Sequence, residues 1–242
     1  MTIIVKWAVA LISGFVFISL AIAANPKPDA TIRNANIEAN VYLDDKIKAD
    51  SALAADCLGE GKKWIDKNAA EAAADRKQEP DLFKDRGGYS FERKYSERSV
   101  VDGRYVSVLR DDYMDTHGAH PNSDVNTILW DTTAKKRISI RPFFTETADN
   151  GPALTAMRKA IVSALNAEKK RRGAGETATA EWYKELKPSL LTFHYPPYAV
   201  GPYAEGQYVI FVPWETLKPY LTPEGAKIFA GARPKGDADE QQ

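Results

Sequence analysis

Only one cysteine, Cys57, occurs in the 242 residues, so no disulfide can form within the chain and its stability has to come from packing. Histidine is almost as scarce, with three residues. Neither a His-Glu-x-x-His pattern nor a Gly-x-Ser-x-Gly elbow occurs, which removes the usual sequence signs of a zinc protease and of a serine hydrolase. A charge of either sign is also lacking: Lys+Arg and Asp+Glu are equal at 33 each. Nucleic-acid binding needs a basic surface, so that class of partner is disfavoured. No internal repeat is visible, and the chain has a single long uncharged hydrophobic run.

That run, Trp7–Ala24, spans 18 residues and follows a start that carries Lys6. A charged start, an apolar centre and the small residues of Ala21-Ile-Ala23 have the form of a secretory signal, here residues 1–23. The alternative is an uncleaved membrane anchor, for which the length is just sufficient. Either reading predicts a periplasmic or secreted location, or an anchored domain that faces outside. About 218 residues then remain, enough for a core in one domain or two packed lobes. Cys57 lies too far inside the chain for lipid attachment and is expected to be buried on a helix.

The pattern along the chain predicts an α+β fold, an antiparallel sheet with packed helices in a single domain. Residues 24–35 read as a polar linker, 36–230 as the domain with lobes at about 36–110 and 111–230, and 231–242 as a disordered tail. Ile37, Ala39 and Val41 alternate with polar residues, the period of a half-buried strand. Asp50-Ser51 can cap a helix running to about Lys77, with Ala54, Leu58, Gly61, Ile65, Ala69 and Ala72 on one face. The charges Glu60, Lys62, Lys63, Asp66 and Lys67 read as its solvated side. Tyr89–Tyr95 and Tyr105–Arg110 are expected to pair through an Asp102-Gly103 turn, with Val125–Asp131 as a further strand. Pro152 opens a helix whose Leu154, Met157, Ile161 and Leu165 face the core. Its basic end, Glu168–Arg172, reads as solvated and favoured by the helix dipole. A short helix is expected over Glu181–Leu186. Ser189–Phe193 and Gln207–Val212 read as strands, with Trp214–Leu221 and Pro223–Phe229 as closing helical turns.

The three histidines fall in two loop-like stretches, Asp115–Asp124 and Phe193–Gly206, each followed by a buried strand pattern. Binding groups often sit on loops held by a rigid scaffold, so these two loops are the candidate working surface. His117, His120 and His194 could supply three metal ligands for a cell-wall hydrolase. Against this, the first two lie in a Gly-Ala-Pro loop and not on one helical face. Nucleophilic catalysis is weaker, and pairs such as Asp111-Asp112 are ordinarily exposed turn acids. In the second loop, Tyr195, Tyr198, Tyr203 and Tyr208 alternate with prolines. Proline lowers the ordering cost of contact, and tyrosine adds amphipathic area suited to a protein interface or a sugar. The competing reading is that these rings pack inward on the sheet.

Two sets of residues carry a family resemblance. The first is Tyr113, His117-Gly-Ala-His-Pro121, Asn126, Trp130-Asp131, Ile138-Ser-Ile140 and Phe143-Phe144. The second is Phe193-His-Tyr-Pro-Pro-Tyr-Ala-Val-Gly-Pro-Tyr-Ala-Glu-Gly206, followed by Val209-Ile-Phe-Val-Pro-Trp214. Together they resemble the extracytoplasmic domain of RsiV-type anti-sigma factors, also found beside some peptidoglycan deacetylase domains, over roughly residues 89–230. The departure is His117, where that family commonly has a second glycine. The resemblance implies an α+β sensor or binding module without catalysis of its own, one that recognises lysozyme in the anti-sigma members. Six residues before the apolar run leave no room for a sigma-binding region, and no deacetylase domain follows, so neither activity is expected here. The expected protein is thus a non-enzymatic binding module without a cofactor, whose ligand is lysozyme or peptidoglycan. His120, Pro121, Asn122, Tyr195, Tyr198 and Tyr203 are its contact residues, with Gly118, Gly201 and Gly206 allowing the turns. Whether the two loops meet in space decides most of this reading.

Overall fold

A computed structural model describes residues 26–175, 187–189 and 192–230. The signal or anchor segment, the Glu181–Leu186 helix and the 231–242 tail lie outside the described residues. Six strands form one sheet in sequential order: β1 (Ala30–Arg33), β2 (Ile37–Leu43), β3 (Tyr89–Val101), β4 (Tyr105–Asp115), β5 (Asn122–Asp131) and β6 (Lys136–Ile138). The α+β expectation holds. All neighbours in the sheet are antiparallel except β2 and β3, which run parallel. Parallel strands need a long crossover, and here α1 (Asp45–Ala49) and α2 (Ser51–Gln78) provide it. β1 occupies a third of the stretch expected to be linker. It pairs with β2 from Ala30 opposite Val41 to Arg33 opposite Glu38, so backbone pairing at an open edge outweighs its polar composition.

Asp50 starts α2 as the sequence implied, accepting hydrogen bonds from the amides of Ala52 and Leu53. The helix turns Leu53, Cys57, Gly61, Ile65 and Ala72 onto the sheet. Cys57 is fully buried. Gly61 permits the close approach, because a Cβ there would lie 2.7 Å from Val41. Beneath α2 lies a first hydrophobic cluster, to which β4 and β5 contribute Val106, Val108, Ile128 and Trp130.

Strand alternation sends Tyr105 and Leu129 to the other side of the same sheet, into a second cluster. That cluster is completed by α3 (Pro152–Arg172), by α4 (Trp214–Leu217) and α5 (Pro223–Phe229), and by a three-stranded antiparallel sheet. The small sheet consists of β7 (Lys187–Ser189), β8 (Thr192–Tyr195) and β9 (Tyr208–Phe211). Its strands β7 and β8 lie against β5. The expected division near residue 110 therefore falls inside β4, and the two cores are the two faces of one sheet, not successive lobes. Among the described residues, no helix is long and apolar enough to cross a membrane.

Candidate functional site

The first loop leaves β4 at Asp115, whose carboxylate accepts the amide of His117 at 2.9 Å. The loop then turns left-handed at His117, with φ of 63°. This is the position at which the resembling family commonly carries glycine, and the backbone explains why glycine suits it. The turn falls on His117 and not on Gly118, which is absent from the left-handed residues. The His117 ring then packs back, 5.2 Å from Tyr89 and 5.9 Å from Phe83, with Nε2 3.3 Å from the Gly87 carbonyl. Arg86 donates to the His117 carbonyl. His117 thus fastens the base of the loop.

His120 points the other way. Its ring stacks on Tyr203 with centroids 4.1 Å apart, and its Nε2 lies 3.0 Å from the Tyr198 hydroxyl. Nδ1 lies 2.9 Å from the Pro121 carbonyl, which can only accept. Nδ1 therefore carries a proton, and Nε2 and the Tyr198 hydroxyl share a hydrogen bond. The two loops meet, joined through this His120–Tyr198–Tyr203 cluster. Tyr198, itself left-handed with φ of 71°, stays 60 % exposed.

Other expected contact residues are placed differently. Pro121 acts through its carbonyl. Asn122 is the exposed first residue of β5, opposite Met114. Tyr195 is fully buried in β8, and its hydroxyl has no hydrogen-bond partner among the described residues. Its position in β8 leaves it no access to a ligand, so the contact role expected of it is corrected. All four residues of β8 are buried, so membership of this covered strand, not the Tyr-Pro composition, decided its burial. Tyr208 is buried too, donating to Glu205 at 2.6 Å. His194 lies buried in β8. The three histidines thus have separate environments, and no group of three or more metal-ligating side chains forms among the described residues. The convergence that a three-histidine metal site needs is missing.

The end of α3, expected to be solvated, instead holds the second loop. Lys169 is 1 % exposed and donates to the Val200 carbonyl at 2.7 Å and to Glu205 at 2.8 Å. Arg172 donates to the carbonyls of Glu205 and Gln207 and lies over the Tyr208 ring at 4.1 Å. Glu168 accepts from both Arg171 and Arg172, whose hydrogen bonds hold its carboxyl below the usual range. Hydrogen bonds from Lys169 and Tyr208 do the same for Glu205. A Cβ at Gly201 would collide with the Glu205 carboxylate, and Gly206 adopts φ of 69° and ψ of −156°, conformations that explain both glycines. A signal for this anchor was present, since Lys169 continues the buried stripe of Met157, Ile161 and Leu165 at four-residue spacing.

Beside the aromatic cluster, a cleft of about 530 Å³ opens between the second loop and the strands. Tyr113, which is 40 % exposed, contributes a ring from the strand side, and Tyr203 and Pro197 contribute from the loop. Glu92, Lys94, Asp111, Ser123 and Gln207 supply polar groups. Asp111 lies in β4 opposite Lys94 and is not a turn acid. Burial raises its carboxyl above the usual range, against the pull of Arg98 and Lys94. Its neighbour Asp112 faces α2 and pairs twice with Arg93, each bond 2.6 Å.

Residues 144–215 match the family model described as a protein of unknown function, DUF3298. The matched span contains the second loop, and the first loop lies outside it. No curated protein matches the chain at a significant level. Among solved structures, the chain is similar to a DUF3298 family member from Bacteroides fragilis, with 18% identity, 84% of this chain and 97% of that chain covered, and a TM-score of 0.53. A DUF3298 family protein from Pseudomonas aeruginosa PAO1 matches with 19% identity over 64% of this chain and 71% of that chain, at a TM-score of 0.46. The Bacteroides likeness is one of fold. The family likeness is thus carried by the match over residues 144–215.

Proposed function

We propose that the chain is an extracytoplasmic binding module of the RsiV-like type, which recognises a cell-wall ligand where the two loops meet. The observation that carries this reading is the joining of His120 to Tyr198 and Tyr203 across 78 residues of sequence. A half-exposed aromatic cluster on rigid supports presents contact area at low ordering cost. The secretory pattern of residues 1–23 and the family resemblance supply the setting, and lysozyme and peptidoglycan are its two candidate ligands. The adjoining cleft, with rings on both walls and hydrogen-bonding groups between them, favours the glycan. Sugars present apolar ring faces together with hydroxyls, so such a site can satisfy both.

Titration of the mature domain with soluble muropeptides and with lysozyme tests the reading. Binding is expected to weaken by roughly tenfold or more in Tyr203→Ala and His120→Ala, the range for truncating an aromatic contact at the centre of an interface. Failure of both ligands to bind at high micromolar concentration overturns it.

A further inference from the structure

Each wall of the cleft beside the aromatic cluster combines one ring with one hydrogen-bonding side chain. From the strands come Tyr113 and Ser123, direct cross-strand neighbours on β4 and β5. From the second loop come Tyr203 and Gln207. His120 covers one face of the Tyr203 ring, with centroids 4.1 Å and planes 21° apart. Tyr203 lines the cleft, whereas His120 and Tyr198 do not. The Tyr203 ring thus stands as a partition, with His120 behind it and its other face toward the cleft. Both ring nitrogens of His120 are engaged inside the protein, one by the Pro121 carbonyl and one by the Tyr198 hydroxyl. The charges along the cleft are matched in the same way. Glu92 pairs with Lys94 at 2.5 Å, and Asp111 is faced by Arg98 as well as by Lys94. Asp124 turns to the α2 face, 3.3 Å from Arg110.

We infer that the cleft holds an uncharged pyranose ring between Tyr203 and Tyr113, with His120 as the positioning residue that backs Tyr203. The inference rests on the reading of the module as a glycan binder. It names the part of the glycan that is bound and a contact residue, Tyr113, that lies outside both loops. A pyranose has apolar C–H faces and a rim of hydroxyls. The faces stack on the two rings, and the rim reaches Ser123 on one wall and Gln207 on the other. Because the lining charges compensate one another, an ionised group on the ligand would have to displace an existing ion pair to find a partner. An N-acetylated unit brings no such group. His120 has no polar atom left for the ligand. Its stacked ring fixes Tyr203 before the ligand arrives, which lowers the ordering cost of contact.

The test titrates the mature domain with the N-acetylglucosamine tetramer by calorimetry or chemical-shift mapping. Tyr113→Ala is expected to weaken binding roughly fivefold or more, the scale for truncating an aromatic contact. Tyr113 is 40 % exposed, so the melting temperature should show this variant folded. His120→Phe keeps the stack and loses both hydrogen bonds, and it is expected to restore most of the affinity that His120→Ala loses. The glucosamine tetramer, with free ammonium groups, is expected to bind no tighter than the acetylated one. Wild-type affinity in Tyr113→Ala overturns the inference, as does a His120→Phe variant no better than His120→Ala, or a preference for the free amine. The inference also falls, and the binding module stands, if the acetylated tetramer fails to bind while muropeptides or lysozyme do. Silence from every one of these probes sinks both.

Discussion

At the scale of single residues, tyrosines of one loop have opposite fates three to five positions apart. Tyr195 ends a strand and is buried, Tyr198 sits on a left-handed turn in solvent, and Tyr203 stacks on a histidine from another element. Because the Tyr195 hydroxyl is buried without a partner among the described residues, Tyr195→Phe is expected to leave stability unchanged or raise it by up to about 1 kcal/mol. Urea denaturation measures this, and ligand affinity should not move. Gly206 is the reverse case. Its φ of 69° and ψ of −156° belong to a region open almost only to glycine, so Gly206→Ala should lower stability by about 1–3 kcal/mol. The same substitution should weaken ligand binding, since Gly206 lines the cleft. An unshifted denaturation midpoint would contradict the strain argument.

At the scale of elements, α2 and α3 differ in how openly their sequences state their roles. The start of α2 follows from its capping aspartate, and Asp50 also accepts the indole N–H of Trp130 at 3.2 Å, tying helix to sheet. Asp50→Ala should cost about 1–2 kcal/mol in chemical denaturation, toward the upper end for a lost cap because the tie is lost too. The basic end of α3 looked like a solvated terminus because a helix dipole explains such charges without further cause. Burial made Lys169 an anchor instead. Lys169→Met should leave Glu205 without its cation and loosen residues 196–207. Hydrogen exchange should then quicken in that loop and in β9, while α2 and its face of the sheet keep their protection. Uniform loss of protection would show that Lys169 serves the whole core.

At the scale of the molecule, one sheet carries two environments. The face under α2 holds an ionic network, Arg93 with Asp112 and Arg110 and Arg137 with Glu60. The Arg93–Asp112 pair is almost wholly buried, so Asp112→Ala leaves the Arg93 guanidinium with only the more distant Glu60 at 3.7 Å and should cost about 3 kcal/mol. Arg104 and the amides of Ala134 and Thr133 hold the Asp131 carboxyl down to about 2, and the arginines around Glu60 outweigh its burial and lower it as well. Glu168 and Glu205 are lowered by their own partners. A carboxyl whose value is lower in the folded state stabilises it above the usual carboxylate range and loses that effect as pH falls through the folded value. The melting temperature should therefore decline below about pH 4 and continue to fall toward pH 2, where Asp131 protonates. Asp131→Asn should flatten the lowest part of that curve.

The sequence by itself determined the local elements: the period-2 strands, the capped helix from Ser51, the Asp102-Gly103 turn and the buried cysteine. These follow from spacing and caps, which act over a few residues. It also marked both loops, because histidine, tyrosine and proline are concentrated there. It could not determine which of their residues face solvent. A one-position change along a strand reverses the side, and neither the end of a strand nor the end of a helix declares its neighbours. The parallel β2–β3 pairing, the strand within the expected linker and the burial of Lys169 all depend on contacts distant in sequence. The meeting of His120 with Tyr198 and Tyr203 belongs with them. Packing of the small sheet against β5 brings those rings together, and that packing is the sum of many apolar contacts with no single residue to announce it.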